Sequence, residues 1–167
     1  MKIESERLGT MEVDDADEIT FPEGLIGFFD EHSFVLVRHN AESPIGWLQS
    51  TKSPWLSLPV VSIESVECDF SYESLEGAGF SPETHSVMAV LNAKGPMGAT
   101  VNMLAPIVVN VKTREGQQII ALGGQEIPFV LRQHIPPQVS TQPPALTEAE
   151  TTTTQNEETP LARASNG

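Results

Sequence analysis

The side chains that could carry out catalysis or hold a metal ion are few and scattered in this sequence. Cys68 is the single cysteine, it lies in an alternating run typical of a small buried thiol, and no base is placed beside it to make it a nucleophile. Serine catalysis has no Gly-x-Ser-x-Gly motif to start from. The four histidines are His32, His39, His85 and His134, and no pair of them has a metal-ligand spacing together with a further suitable ligand. We therefore expect no enzymatic activity, no metal and no cofactor.

The strongest local concentration of charge is the run Asp14-Asp15-Ala16-Asp17-Glu18. Asp15 and Asp17 alternate as calcium ligands can, but the run lacks the glycine and the distal bidentate glutamate of an EF-hand loop. Two interpretations stay open, which are a solvated turn before a strand and an electrostatic surface for a basic partner. In the second, Asp14, Asp15 and Asp17 are candidate partner-binding residues.

The whole chain is strongly acidic. Its 167 residues include 23 acidic against 9 basic side chains, a formal net charge of −14. The first 31 residues hold ten of the acids against Lys2 and Arg7, a net of −8. Such a chain repels phosphate backbones and anionic lipid, so we expect no direct nucleic-acid or membrane binding. A single cysteine fits a reducing compartment, and no apolar run approaches the ~18 residues of a membrane span.

The composition changes after residue 135, which indicates two regions. Residues 136–167 contain no aromatic residue and are dominated by Pro, Thr, Glu, Gln and Ser. Such a segment cannot bury enough apolar surface to offset the entropy lost on ordering, so a disordered tail is predicted. Residues 1–135 are predicted to form the folded domain.

The folded region shows short apolar or alternating runs closed by turn residues. Their spacing of about ten residues predicts an all-β fold, a small antiparallel β-barrel-like or sandwich domain with at most one short helix, at 72–78. A four-residue turn is predicted at Thr113–Gly116, with the glycine supplying a positive φ, and a bulge or bend at Ala105-Pro106. The predicted strands are 19–21, 33–38, 47–50, 58–63, 68–72, 87–91, 99–104, 107–111 and 117–122.

Aromatic residues also stand in predicted loops. Phe28-Phe29 follows a Gly-Leu-Ile-Gly turn, and Trp55 lies between Pro54 and Leu56. Most aromatic side chains are core because they supply large buried areas. An exposed subset would mark a protein-binding patch.

Several ordered blocks resemble the FliW family of flagellar assembly factors. Residues 19–28 (ITFPEGLIGF) resemble the opening signature of that family, although Ile26 stands where a proline is common. The runs 33–36 (SFVL) and 47–50 (WLQS) follow at the family's distances. Residues 100–110 (TVNMLAPIVVN) are similar to its Asn-Leu-x-Ala-Pro-Ile-Val-x-Asn block, and 116–120 (GQQII) to its Gly-x-Gln run. The resemblance covers residues 1–135.

The resemblance implies a function as a partner switch. FliW is a small cytoplasmic β-barrel-like protein without enzymatic activity that binds flagellin and the translational regulator CsrA. CsrA represses flagellin mRNA, and unexported flagellin occupies FliW and frees CsrA to repress. Export releases FliW to antagonise CsrA again. The resemblance therefore implies that this chain couples flagellin synthesis to export.

The matched blocks contain both core and candidate binding residues. Gly24 and Gly27 are predicted to permit turn geometry. Asn102 and Asn110 either satisfy backbone groups or face a partner, and both readings stay open. The predicted core residues are Phe21, Phe28, Val35, Ile107 and Val109. The candidate partner-binding residues in these blocks are Trp47, Gln49, Asn102, Met103, Pro106 and Asn110.

Two other function classes compete with this interpretation. One is a ligand-binding or split-barrel flavin-binding protein, but residues 1–135 hold 19 acidic against 8 basic residues and offer few anchors for a flavin phosphate. The other is an acidic protein-binding adaptor unrelated to flagella. A colourless purified protein would argue against the first, and the absence of flagellin genes from the source would favour the second.

Overall fold

Short strands and tight turns make up the protein. The computed structural model describes residues 1–75, 79–95, 98–121 and 123–133, and they fall in the first of two units into which the chain divides, Met1–His134. The described helices are three single 3₁₀ turns, Asp15–Asp17, Ile63–Ser65 and Tyr72–Ser74. The strands are β1 Lys2–Ser5, β2 Gly9–Glu12, β3 Glu18–Thr20, β4 Ser33–Arg38, β5 Ile45–Ser50, β6 Ser57–Ser62, β7 His85–Gly95, β8 Gly98–Asn102, β9 Ile107–Asn110, β10 Gly116–Gln118 and β11 Glu126–Pro128.

One antiparallel sheet curls until its ends meet. Its strand order is β10-β9-β7-β6-β5-β4-β3, and β8 and β11 extend it from the second half of the long strand β7. The Thr20 N–H donates to the Arg114 carbonyl at 2.9 Å, and Thr20 and Glu115 form a parallel bridge between the two end segments. A separate β1–β2 hairpin completes the fold. The predicted all-β, antiparallel barrel-like class is confirmed.

The core inside the curled sheet contains the predicted apolar residues. The Phe21 and Phe34 rings meet edge to face, with centroids 5.4 Å apart. A second cluster packs around Val61, Val87 and Val108. Phe28 is only half-buried, at the margin of the first cluster, in contrast to the core position predicted for it. The other predicted core residues are buried, namely Phe21, Val35, Ile107 and Val109.

Two predicted elements differ in the structure. Residues 68–72 form no strand, because the Ser71 side chain accepts the Glu73 N–H and starts a 3₁₀ turn instead. The predicted helix at 72–78 is that single turn, and residues 76–78 lie outside the described part of the chain. The predicted strand at 117–122 ends at Gln118, after which the Ile119 N–H donates to Pro106 O at 2.9 Å.

Both predicted irregularities are present. In the turn, however, the residue with a positive φ is not the predicted one. The chain bends at Ala105-Pro106, since β8 pairs with β7 and β11 whereas β9 pairs with β7 and β10. The turn between β9 and β10 also forms, but the positive φ, 58°, belongs to Arg114 and not to Gly116. Gly116 serves a close approach instead, because a Cβ there would lie 2.5 Å from the Phe21 ring.

No helix among the described residues has the length and apolar character needed to cross a bilayer. The predicted tail, residues 136–167, lies outside the described residues.

Candidate functional site

The described residues place no cluster of three or more His, Cys, Asp or Glu side chains where they could hold a metal ion. Cys68 is half-buried, and its burial raises the pKa of the thiol above the ordinary value. A raised pKa keeps the thiol protonated near neutral pH, where a nucleophilic cysteine would have to be a thiolate.

The acidic turn is held by two cations. Asp14 caps the 3₁₀ turn by accepting the Ala16 N–H at 2.9 Å. Asp15 contacts the Met1 ammonium at 2.6 Å and raises the pKa of that group, and Asp17 contacts the Arg114 guanidinium at 3.0 Å. All three carboxylates are exposed. Two of the three candidate acids are thus already paired, and the Asp17 pair spans the seam where the curled sheet closes.

The two β5 candidates differ in exposure. Trp47 is half-buried under the Arg7 guanidinium, whose carbon lies 4.4 Å from the ring centroid, and it lines a cavity of about 490 Å³ beside the β1–β2 hairpin. Gln49 is fully buried, and its Nε2 donates to the Ser50 and Ser53 carbonyls at 2.9 and 3.2 Å. Gln49 therefore holds the turn after β5 and has no exposed surface.

Both candidate asparagines bond to backbone groups in turns. The Asn102 Oδ1 accepts the Leu104 N–H at 3.0 Å, and the Asn110 Oδ1 accepts the Lys112 and Thr113 N–H groups at 2.9 and 3.0 Å. These bonds support the interpretation that the two asparagines satisfy backbone N–H groups. Both side chains are half-buried, so neither is sequestered from the surface.

The remaining two candidates, Met103 and Pro106, lie together. Pro106 is buried and Met103 half-buried, and both line a cavity of about 560 Å³ whose other apolar lining includes Phe70 and Ile127. The structure therefore distributes these candidates over the acidic turn, the Trp47 cavity and the Met103 cavity, while Asn110 lines a further concavity of about 650 Å³. It does not bring them into one site.

Three exposed apolar side chains line the same concavity as the candidate Asn110. Phe29, Ile26 and Ile120 are 66%, 45% and 73% exposed, and all three line one groove of about 650 Å³. Scattered single apolar residues are normal on a surface, whereas several around one concavity mark a binding site. We call this site the Phe29 groove, defined by Glu23, Ile26, Phe29, Phe80, His85, Glu115 and Ile120.

The loop that presents Ile26 and Phe29 is folded back on itself. Leu25 is buried in the core, and its N–H and C=O bond to the C=O and N–H of Phe28 at 3.2 and 2.7 Å. Gly24 has φ of +68°, and a Cβ there would lie 2.6 Å from the Phe29 carbonyl oxygen. Only glycine tolerates both that φ and that approach. The predicted role of Gly24 is confirmed.

Gln118 ties this loop to the opposite wall of the groove. Its Oε1 accepts the Ile26 N–H at 2.9 Å, and its Nε2 donates to the Ala105 carbonyl at 2.9 Å. Both ends of one amide thus connect the loop after β3, strand β10 and the bend between β8 and β9. The structure explains the Gly-x-Gln pattern within residues 116–120. Gly116 leaves room for the Phe21 ring, and the two hydrogen bonds of the Gln118 amide, which we call the Gln118 clamp, hold the loop.

We expect Gln118→Leu to loosen the groove. The substitution removes both hydrogen bonds while keeping most of the side-chain volume, and we expect a loss of about 1–2 kcal/mol in the free energy of unfolding. Hydrogen exchange of the Ile26 amide should accelerate. Gln117→Leu, at the exposed neighbouring position, is the control and should change neither quantity. Unchanged exchange at Ile26 in Gln118→Leu would show that the clamp does not hold the loop.

Sequence reasoning placed one candidate, Asn110, at this groove but missed its apolar side chains, although one signal for them was present. Phe28-Phe29 after a glycine turn indicated an aromatic loop. Ile120, in contrast, belonged to a predicted strand, and strand alternation cannot indicate that the strand ends two residues earlier.

Known proteins are similar to this chain in sequence and in fold. The family model described as FliW protein matches residues 2–130. A flagellar assembly factor FliW of Desulfitobacterium hafniense strain DSM 10664 / DCB-2 is 40% identical over 127 residues, covering 72% of this chain and 83% of that protein. One from Leptospira biflexa is 32% identical over 126 residues, covering 71% and 82%. A crystal structure of the flagellar assembly factor FliW superimposes with a TM-score of 0.60 at 27% identity, covering 78% of this chain and 96% of that one. The chain belongs to the FliW family of flagellar assembly factors.

Proposed function

We propose that this chain is a cytoplasmic, non-enzymatic flagellar assembly factor that binds flagellin and the translational regulator CsrA in alternation. Bound to CsrA, it relieves repression of flagellin mRNA. Bound to unexported flagellin, it leaves CsrA free to repress. Synthesis of flagellin thereby follows its export.

The observation that carries this proposal is the Phe29 groove, with its three exposed apolar side chains, on a chain of the FliW family. A concavity of this size, lined by both apolar and polar side chains, suits a segment of a partner protein, and the described residues offer no cluster of metal ligands that would suit catalysis instead. The single cysteine agrees with a reducing compartment.

The acidic charge supports a mechanism for the antagonism. A protein that binds RNA must present basic residues to phosphates, so an acidic body docked beside them raises the electrostatic cost of RNA approach. The chain carries a net charge of −14, with Asp14, Asp15 and Asp17 at one exposed turn. Because the Debye length is about 8 Å at physiological ionic strength, the antagonism should weaken as salt is raised.

Calorimetric titration tests the switch. The full chain is titrated with CsrA from the same organism at physiological salt, and the titration is repeated with flagellin already bound. We expect saturable binding of CsrA that flagellin abolishes. Unimpeded binding of CsrA to the flagellin complex would contradict alternation, and binding of neither partner would favour the adaptor unrelated to flagella.

A further inference from the structure

We propose that the Phe29 groove docks a short apolar partner segment flanked by Lys or Arg side chains. The inference rests on the proposed function, because it names the kind of segment through which a partner would be held. It also places the contact away from the Trp47 and Met103 cavities.

The apolar half of the proposal follows from exposure and position. Phe29 and Ile26 come from the loop after β3, and Ile120 comes from the segment after β10, so three exposed side chains from two parts of the chain line one concavity. Phe80 adds a further ring, which packs edge to face on His85 with centroids 4.9 Å apart. A partner segment with two or three large apolar side chains would cover this surface, as in helix-in-groove recognition.

The basic half follows from charge complementarity. The acidic side chains that line the groove are Glu23 and Glu115, both exposed, and the described lining includes no Lys or Arg. Arg114, next to Glu115, pairs with Asp17 at 3.0 Å, so its charge is partly compensated. Lys112 is exposed in the same turn but does not line the groove. An acidic segment would meet repulsion here, whereas Lys or Arg flanking an apolar stretch would be attracted.

The groove is also built before any partner arrives. Gly24, the Leu25–Phe28 bonds and the Gln118 clamp fix its loop wall, and the β3–β10 seam fixes the position of Glu115. A preformed surface avoids the entropy of ordering itself on binding.

Two fluorescent synthetic peptides test the chemistry without assuming a partner. One is a helical Lys/Leu peptide and the other its Glu/Leu counterpart, each titrated into the full chain by anisotropy. We expect saturable binding of the Lys/Leu peptide and none of the Glu/Leu peptide. Failure of the Lys/Leu peptide to bind, or equal binding of both peptides, would overturn the proposal.

Matched variants locate the binding. Phe29→Ser with Ile120→Ser should weaken the Lys/Leu peptide about 30-fold or more, the size of a hot-spot loss. Leu104→Ser with Val111→Ser is the control, because those side chains are 46% and 49% exposed and line no described part of this groove. Equal loss in both double variants would overturn the proposal. All four positions are exposed, so the melting temperatures should stay close to that of the wild type.

Two double charge-reversal variants distinguish the effect of the groove's own charges from that of the net charge of the chain. Glu23→Lys with Glu115→Lys should weaken the Lys/Leu peptide about tenfold, whereas Glu42→Lys with Glu126→Lys changes the net charge equally at exposed sites outside the groove and should have little effect. The same variants titrated with purified CsrA and flagellin distinguish the two proposals. Wild type that binds the peptide but neither protein would refute the proposed function alone. Groove variants that bind every probe as wild type does would refute the groove alone.

Discussion

Phe21→Ala is expected to lower the free energy of unfolding by about 3–5 kcal/mol, the usual loss when a fully buried phenylalanine is truncated. The Phe21 ring has no exposed surface, meets Phe34 edge to face, and lies where a Cβ on Gly116 would approach to 2.5 Å. The cavity would open between β3, β4 and β10, at the seam that closes the sheet. Against a total stability of about 5–15 kcal/mol, this is a large fraction, and chemical denaturation would measure it.

Two controls calibrate this result. Phe21→Leu should cost less, because most of the buried volume is kept. Phe29→Ala removes an equal ring from a 66% exposed position and should change the free energy of unfolding by no more than about 0.5 kcal/mol. Equal losses at positions 21 and 29 would contradict the assignment of one ring to the core and the other to the groove.

Gly24→Ala is expected to cost about 2 kcal/mol or more and to weaken binding at the Phe29 groove. A residue with a side chain pays about 1–2 kcal/mol in the left-handed region, and Gly24 has φ of +68°. The added Cβ would also lie 2.6 and 2.7 Å from the Phe29 and Phe28 carbonyl oxygens, so the loop has to move. Thermal unfolding and the Lys/Leu peptide titration would measure the two effects.

Gly27→Ala separates strain from collision. Gly27 also has a positive φ, +87°, but nothing lies within 4 Å of a Cβ built there. Only the conformational cost applies, so Gly27→Ala should destabilise less than Gly24→Ala and should leave peptide binding closer to that of the wild type. If the two substitutions had the same effect on stability and on binding, the close approach at Gly24 would not be what shapes the loop.

The strands that sequence reasoning found are those with strong apolar patterns. The runs around β4, β5, β6, β7 and β9 have side chains buried in the curled sheet, so alternation or continuous apolar character is visible in the sequence. The β1–β2 hairpin and β11 were missed, because the three strands are short and mostly polar, and β11 ends in Pro128. Strands this short depend on their pairing, β1 with β2 and β11 with β8, which local sequence does not indicate.

The candidate residues were harder to assign, because residue type does not indicate which way a side chain faces. Trp47 and Gln49 share one face of β5, yet Trp47 is half-buried under Arg7 and Gln49 is fully buried. Asn102 and Asn110 were left with two readings, and the turn geometry supports the backbone role. The acidic run was left as either a solvated turn or a surface for a basic partner, and its pairing with Met1 and Arg114 depends on residues outside the run.

The sequence by itself determined the all-β class, the apolar core residues, the acidic surface and the resemblance to the FliW family, because these depend on composition, local periodicity and short motifs. Only the tertiary structure decided where the protein exposes apolar surface. Ile26 and Gln118 are 92 residues apart in the sequence, and they meet because the ends of the sheet close on each other. The Phe29 groove results from that closure, and a local sequence pattern does not indicate which distant segments will come into contact.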